Sequence, residues 1–195
     1  MWKIISFMNL IIFGPPGAGK GTQADFIVNK YNLYQLSTGE VLRNEIKNKT
    51  ELGKEISSII NSGSLVSDDI VKKLVEVFIS DKKYKNRLIF DGYPRNLNQA
   101  KTLKELLSKY GQKIDLVLKL SVSLETITKR ILERRTLEKR ADDNEEIAIK
   151  RYKTYEKSTE PVIEYYKKLN LLKVIDGERS IDQINKEISD IISLI

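Results

Sequence analysis

The stretch NLIIFGPPGAGKGT, residues 9–22, decides the fold of this chain. Four of its first five residues are apolar and predict a buried strand, and residues 20–31 predict a helix. The glycines between them allow backbone N–H groups to turn inward, and the N-terminus of the helix adds partial positive charge. Lys20 is placed to reach the outer phosphates of a nucleotide. The stretch therefore predicts a phosphate-binding loop between a strand and a helix.

The rest of the chain alternates short apolar runs with longer amphipathic segments. Four further strands are predicted at residues 34–36, 87–90, 116–120 and 172–175. Strands that alternate with helices predict an α/β fold, here a five-stranded parallel sheet flanked by helices. Two stretches break the alternation: residues 37–66 are helical without a strand, and residues 134–144 are short and charged. We interpret both as insertions in a core made of the remaining segments, which are residues 1–36, 67–133 and 145–195.

Local signals predict where several helices begin and end. Ser37-Thr38-Gly39-Glu40 has the form of a capping box and predicts a helix that begins there. Ser67-Asp68-Asp69 predicts the cap of another helix. Pro161 is expected either to end the helix predicted at residues 143–158 or to start a new one at its first position.

The composition excludes several kinds of chemistry. The 195 residues contain neither cysteine nor histidine, which removes disulfides, thiol nucleophiles, imidazole bases and Cys/His zinc sites. The net charge is +7, but the lysines are spread along the chain rather than clustered. This distribution suits a small anionic substrate better than a nucleic acid. The chemistry must use lysine, arginine, carboxylates, hydroxyls, backbone amides and a hard cation.

The N-terminal segment, residues 1–13, is similar to a short signal peptide. Its apolar part is too short to span a bilayer, and no small-x-small cleavage site precedes Gly14. We therefore expect a cytoplasmic protein with no membrane partner. Translation from Met8 is an alternative to Met1, because the first strand needs nothing before Met8.

Arginine is scarce, at nine of 34 basic residues, so each position is informative. The planar guanidinium is hard to replace where a phosphate must be held by two hydrogen bonds. Arg95 closes the run DGYPR, residues 91–95, just past a predicted strand, where open α/β sheets form their ligand crevice. Asp91 in this run suits either a water-mediated Mg²⁺ site or a plain turn. Arg130 and Arg134 share a helix face, and their spacing alone fits both a bound anion and a solvated face.

Together these motifs resemble the adenylate kinase family over nearly the whole chain from Asn9. The GKGT ending, in which Gly21 separates Lys20 from Thr22, is typical of nucleoside-monophosphate kinases. Eight blocks match in order: GPPGAGKGT (14–22), LSTGEVLR (36–43), SLVSDD (64–69), DGYPRNLNQA (91–100), RILERR (130–135), RADDNEE (140–146), KRY (150–152) and VIDGE (174–178).

The resemblance implies the P-loop NTPase fold, with residues 37–66 as an AMP-binding domain and residues 134–144 as a short lid. It implies that ATP is bound by Gly17, Ala18, Gly19, Lys20, Gly21, Thr22, Arg130, Arg134 and Arg179. It implies that AMP is bound by Thr38, Arg43, Ser64, Leu65, Val66, Gly92, Tyr93, Pro94, Arg95, Gln99, Arg140 and Arg151. The catalytic residues it implies are Lys20, Arg95, Arg134, Arg140 and Arg151. Longer lids in the family often hold zinc; without cysteine or histidine we expect none here, and expect Mg²⁺ with ATP, held through water by Asp91.

The resemblance implies the reversible reaction of MgATP with AMP to give two ADP, by a monomer with no macromolecular partner. Asp142 and Asp143 are expected to pair with the phosphate-clamping arginines and to cap the following helix. Two alternatives stay open: a uridylate–cytidylate kinase with a similar short lid, and a nucleotide-binding regulator without catalysis. Thr38 and Gln99 favour adenine over the first alternative, and the presence of Lys20 and the lid arginines argues against the second.

Overall fold

A five-stranded parallel sheet forms the centre of the structure, a computed structural model that describes residues 7–138 and 144–195. The strands are β1 (Leu10–Phe13), β2 (Tyr34–Ser37), β3 (Leu88–Asp91), β4 (Leu116–Ser121) and β5 (Leu172–Asp176). They lie in the order β2-β3-β1-β4-β5, and every neighbouring pair is parallel. The predicted fold class is confirmed.

Helices connect the strands and cover both faces of the sheet. They are α1 (Lys20–Tyr31), α2 (Thr38–Lys47), α3 (Glu51–Asn61), α4 (Asp68–Ser80), α5 (Leu97–Lys109), α6 (Leu124–Glu138), α7 (Glu145–Lys168) and α8 (Ile181–Ile192). A short 3-10 helix at Lys82–Tyr84 precedes β3.

The strand order places a ligand crevice next to β1. From β1 the chain first builds β2 and β3 on one side, and later β4 and β5 on the other. Open parallel sheets bind ligands outside the carboxyl ends of their strands at such a reversal. The segments that follow β1 and β3 therefore lie at the edge of this crevice.

Side chains alternate along β1 between two hydrophobic cores. Ile11 and Phe13 pack with α4, α5 and α7, whereas Leu10 and Ile12 pack with α1 and α8. A strand that is covered on both faces has to be continuously apolar, as β1 is. Both cores hold β1 rigidly, and with it the loop that follows.

Residues 37–66 form α2 and α3, as the prediction of a helical segment required, although Ser37 still belongs to β2. Leu42 of α2 and Ile56 of α3 are buried in the same core as α4 and α5. The two helices are thus anchored to the sheet through one apolar contact surface.

The predicted capping box at Ser37 was wrong, although the helix begins where expected. Ser37 makes no side-chain cap hydrogen bond, because it is paired as the last residue of β2. Thr38 instead donates from Oγ1 to the Gly92 carbonyl at 3.0 Å. Ser67 likewise precedes α4 without a side-chain cap bond.

Helix α7 runs without interruption through Pro161, so the prediction that this proline ends a helix or starts one was wrong. Pro161 has no N–H to donate to the Lys157 carbonyl, which costs about 3 kcal/mol in a helix interior. Its ring is exposed, whereas Val162, Ile163 and Tyr166 on the next turn are buried. Burying side chains of this size contributes about 1.5–3 kcal/mol each, which outweighs the lost bond.

The cap of α7 is Asn144, whose Oδ1 accepts from the Ile147 N–H at 2.8 Å. Asp142 and Asp143, which were expected to cap this helix, lie outside the described residues. Across the described ranges, no helix is both long and apolar enough to cross a membrane.

Candidate active site

The glycine-rich loop, residues 14–22, joins β1 to α1 as predicted. Gly17 and Gly19 have φ values of 82° and 88°, in the left-handed region that favours glycine. A Cβ on Gly17 would lie 3.0 Å from Ile131 Cγ1 and 3.1 Å from the Ile127 carbonyl, so the loop packs directly on α6. Gly19 precedes α1 and has no side chain to cap it, so the helix can offer first-turn N–H groups to an anion.

Lys20 begins α1 and folds back over the loop. Its Nζ donates to the carbonyls of Gly14 at 2.8 Å and Pro15 at 3.0 Å. Burial lowers the pKa of Lys20 to about 8; the charge of Asp91 opposes this shift.

Three arginines also lower the pKa of Lys20: Arg95, Arg151 and Arg134, in decreasing order. They come from three separate segments of the chain, two of them α6 and α7. The fold thus collects four basic side chains that the sequence holds far apart. Four basic side chains gathered in this way suit a polyanionic ligand.

A cleft of about 1060 Å³ empty volume, with its open mouth included, lies beside the loop. Many of the predicted site residues line it: Lys20, Thr38, Arg43, Ser64, Leu65, Val66, Gly92, Pro94, Arg95, Gln99 and Arg151. They belong to α1, α2, α5, α7, the segment after α3 and the segment after β3. The structure therefore brings the predicted AMP-site residues that it describes to one cleft, except Tyr93.

Two guanidinium groups converge inside this cleft at Gly39. A Cβ on Gly39 would lie 3.3 Å from Arg43 Nη1 and 3.6 Å from Arg95 Nη2. Arg95 is held in place, because its Nε donates to the Gly92 carbonyl at 2.7 Å and its own carbonyl accepts from Thr159 Oγ1 at 3.1 Å. Paired guanidinium groups of this kind match a phosphate or carboxylate.

Gln99 lies in the first turn of α5 and is 3% exposed. Its Oε1 accepts from the Arg95 N–H at 2.7 Å, and its Nε2 donates to Asp68 Oδ1 at 2.8 Å. Tyr93 lies behind it rather than in the cleft wall: it is 1% exposed, and its hydroxyl donates to the Gln99 carbonyl at 3.2 Å. Tyr93 thus holds the backbone of Gln99 by a hydrogen bond instead of lining the cleft.

Asp91 ends β3 close to Lys20 and is 8% exposed. Its Oδ2 accepts from Gln35 Nε2 at 3.0 Å. Of the charges that shift the pKa of Lys20, Asp91 is the one that stabilises the ammonium. A carboxylate beside the phosphate loop fits a hydrated Mg²⁺ ion, which prefers oxygen ligands and retains several waters.

Arg130 and Arg179 lie outside this cleft, around the turn between β5 and α8. Arg130 Nη2 donates to the Gly177 carbonyl at 3.0 Å, and Arg179 pairs with Glu187. Glu178 in the same turn accepts from the Ser123 N–H at 2.7 Å, and this bond is the main reason why its pKa is lowered to about 2. Helix α6 therefore links this turn, through Arg130, to the loop, which it contacts at Gly17. Arg140 lies outside the described residues.

The cleft also contains residues that were not predicted. Thr154, Tyr155 and Thr159 of α7 line it together with Arg151. They follow Arg151 by three, four and eight positions and so share its helix face, a pattern that was readable in the sequence. Burial raises the pKa of Tyr155, whose hydroxyl has no hydrogen-bond partner among the described residues.

Three features define the class of this protein: the order of its five parallel strands, the glycine-rich loop after β1 and the arginine-lined cleft. It has a P-loop NTPase fold of the kind that transfers phosphoryl groups between nucleotides.

Comparisons with known proteins identify the family within this class. The family model described as Adenylate kinase matches residues 12–171. The chain is 46% identical to an adenylate kinase of Pelagibacter ubique, over 96% of this chain and 100% of that protein. It is 42% identical to an adenylate kinase of Fusobacterium nucleatum, over 95% of this chain and 98% of that protein. It is also 42% identical to an adenylate kinase of Leptospira biflexa, over 92% of this chain and 96% of that protein.

The chain belongs to the adenylate kinase family. It is therefore an enzyme, a nucleoside-monophosphate kinase that transfers a phosphoryl group from ATP to AMP. The alignment with the Pelagibacter protein spans 213 positions, more than the 195 residues of this chain, so that relative carries residues without a counterpart here.

Proposed function

We propose that the cleft between the loop and α2–α3 is the AMP site and that the loop, with α6, holds the phosphates of ATP. The convergence of Arg43 and Arg95 at Gly39 carries this assignment, because two guanidinium groups at one point match a single phosphate. Arg151 lines the same cleft. Gln99 would contact the base of AMP, and Thr38 and residues 64–66 would enclose it.

The ATP site follows from what flanks the loop. Lys20 and Arg134 influence each other electrostatically, which supports a role for both at the transferring phosphoryl group. Gly17 to Thr22 would supply backbone N–H groups to the other phosphates. Arg130 and the backbone at Arg179 would hold the adenine of ATP, because they meet at the turn after β5. Arg140 would join the phosphate clamp.

Phosphoryl transfer needs alignment and positive charge more than covalent chemistry. An oxygen of the AMP phosphate attacks the terminal phosphorus of ATP, the bond from that phosphorus to the bridging oxygen breaks, and two ADP result. AMP brings an ionised nucleophile, so no general base is required. Lys20, Arg95 and Arg151 would stabilise charge on the transferring group. When bound, Mg²⁺ neutralises phosphate charge, and Asp91 would hold its water shell.

Water has to be excluded, because otherwise ATP would be hydrolysed. We infer that residues 37–66 and the short lid, residues 134–144, close over the bound nucleotides. Some relatives carry residues without a counterpart here, and a longer lid in those proteins would account for them.

The assignment is tested by measuring ADP formation from MgATP with AMP, UMP or CMP as acceptor. We expect kcat/KM for AMP to exceed the values for UMP and CMP at least about a hundredfold. Replacing Arg95 by Met should lower kcat/KM for AMP about a hundredfold or more. Arg135→Met is the matched control, since Arg135 is an exposed arginine on α6, and it should change activity less than about twofold. An unchanged activity in Arg95→Met contradicts the assignment.

We propose a cytoplasmic monomer that maintains the balance of adenine nucleotides. Two insertions that move during the reaction leave little surface for a permanent partner. Light scattering should give a mass near 22.5 kDa, and a stable mass of twice that value contradicts the monomer.

A further inference from the structure

The two ends of the Gln99 amide have chemically different partners. Oε1 accepts from the backbone N–H of Arg95, and Nε2 donates to the Asp68 carboxylate. Turning an amide by 180° preserves its shape but exchanges its donor and acceptor. An N–H group can only donate and an ionised carboxylate can only accept. The partners of Gln99 therefore fix one of its two orientations.

Asp68 is itself held in place at the start of α4. Besides Gln99, its Oδ1 accepts from Asn96 Nδ2 at 2.9 Å, and its Oδ2 accepts from Asn98 Nδ2 at 2.7 Å. Burial alone would raise the pKa of Asp68, but the hydrogen bonds from Asn98, Asn96 and Gln99 outweigh it, and the pKa lies below its usual value. The side chain is therefore an ionised, acceptor-only group at neutral pH.

Each end of the Gln99 amide keeps one further bonding position, since the oxygen has two lone pairs and the nitrogen two hydrogens. Gln99 also lines the cleft. In the orientation fixed here, Oε1 can accept from the 6-amino group of adenine while Nε2 donates to N1. Hypoxanthine and guanine present the opposite pattern, with an acceptor at O6 and a donor at N1.

We propose that Asp68 is a positioning residue for base selection: it holds Gln99 in the amide orientation that matches adenine and opposes hypoxanthine. The proposal rests on the proposed function, in which Gln99 contacts the base of AMP. With Asp68 present, an inverted Gln99 would make two mismatches. Its Oε1 would face the Asp68 carboxylate, acceptor against acceptor, and its Nε2 would face the Arg95 N–H, donor against donor. Without Asp68 only the second mismatch remains, so the inverted orientation becomes accessible.

The test compares AMP with inosine monophosphate as phosphoryl acceptor, at saturating MgATP, in the wild type and in Asp68→Ala. We expect the ratio of kcat/KM for AMP to that for inosine monophosphate to fall about tenfold in the variant, the effect of one mismatched buried hydrogen bond. The change should appear in KM for the acceptor, with KM for ATP unchanged. Asp68→Ser serves if the alanine variant does not fold.

Three variants separate this role from a structural one. Asp69→Ala removes the same charge from the same helix turn, at an exposed position, and should keep the wild-type ratio. Asn98→Ala removes another partner of Asp68 and should also keep it. Asp68→Asn keeps the size of the side chain but should still lower the ratio, because its amide can turn and donate to an inverted Gln99.

Gln99→Leu distinguishes failure of this proposal from failure of the proposed function. If KM for AMP is unchanged in Gln99→Leu, then Gln99 does not contact the base of AMP, and both the proposed function of Gln99 and this proposal are overturned. If Gln99→Leu raises KM for AMP while Asp68→Ala keeps the wild-type ratio, the proposal is overturned and the AMP site stands. The proposal is also overturned if the ratio of kcat/KM for AMP to that for inosine monophosphate falls as much in Asp69→Ala as in Asp68→Ala.

Discussion

Among single residues, Lys20 shows how a charged group in a binding site lowers the free energy of unfolding. Its ammonium is buried near three arginines, with Asp91 as the charge that stabilises it, and its pKa is lowered to about 8. An unfolded lysine titrates near 10.5, so between pH 8 and 10.5 the folded state binds fewer protons than the unfolded state. Lys20 therefore costs the most stability below pH 8, and the cost is relieved as the pH rises towards 10.5.

We expect Lys20→Met to be more stable than the wild type at pH 7 in the absence of nucleotide, by about 1 kcal/mol. The loss of hydrogen bonds to Gly14 and Pro15 keeps the gain below the full electrostatic cost. The difference should shrink as the pH rises from 8 to 10. Urea unfolding at several pH values measures it. A variant that is less stable than the wild type at pH 7, by an amount independent of pH, contradicts the prediction.

The same lowered pKa predicts a pH dependence of activity. In the free enzyme Lys20 carries its charge below pH 8 and loses it above, so kcat/KM for ATP should decline above about pH 8. Bound phosphates favour the charged form, so kcat should stay level to higher pH. Initial rates at limiting and saturating ATP between pH 6 and 10 separate the two profiles. Parallel declines in kcat and kcat/KM would argue against Lys20 as the titrating group.

At the scale of elements, α2 and α3 cross at Gly53 with almost no space between their backbones. A Cβ on Gly53 would lie 2.1 Å from the Glu45 carbonyl oxygen and 2.8 Å from the Ile46 nitrogen. Thr50 fixes the same corner, since its Oγ1 accepts from the Gly53 N–H at 3.0 Å. The close approach sets the angle at which α2 presents Thr38 and Arg43 to the cleft.

Gly53→Ala should therefore destabilise the protein by about 2 kcal/mol or more, because helix backbone cannot move aside cheaply. Helix propensity alone predicts the opposite sign, a gain of about 1 kcal/mol. KM for AMP should rise more than KM for ATP. Thermal unfolding and steady-state kinetics measure both effects. Ser58→Ala, at an exposed position of α3, is the control and should be neutral or slightly stabilising; a stabilised Gly53→Ala would refute the crossing geometry.

At the scale of the whole molecule, the fold concentrates positive charge at one edge of the sheet. Lys20, Arg43, Arg95 and Arg151 line one cleft, in a chain of net charge +7. Basic side chains around one cleft attract a phosphorylated nucleotide, which binds the folded state and not the unfolded chain. Binding of a phosphorylated nucleotide is thus coupled to the stability of the entire domain.

We expect ADP at about a hundred times its Kd to stabilise the folded state by about 2.7 kcal/mol, or about 5–10 °C in Tm for a chain of this size. Adenosine at the same concentration should produce a much smaller shift, because it lacks the phosphates that the arginines hold. Differential scanning fluorimetry compares the two. Equal shifts with ADP and adenosine would show that the base, rather than the phosphate, dominates binding.

The strand, loop and helix of residues 9–31 could be predicted from the sequence, because phosphate binding there needs only adjacent residues with suitable backbone freedom. The alternation of apolar runs determined the α/β class in the same way. The scarcity of arginine pointed to positions that the fold later brings together, such as Arg43 and Arg95.

How those residues are held in place depends on the packing of the whole fold. Asp68 and Gln99 are 31 positions apart, and Thr159 and Arg95 are 64 apart, yet each pair is hydrogen-bonded. Such contacts depend on the order of the strands, which local patterns do not contain. Ser37 and Pro161 failed as local signals for the same reason, since strand pairing at one and burial of the next helical turn at the other outweighed the local preference. Local sequence specifies elements through short-range sterics, whereas the site is assembled by burial and hydrogen bonding between elements distant in the chain.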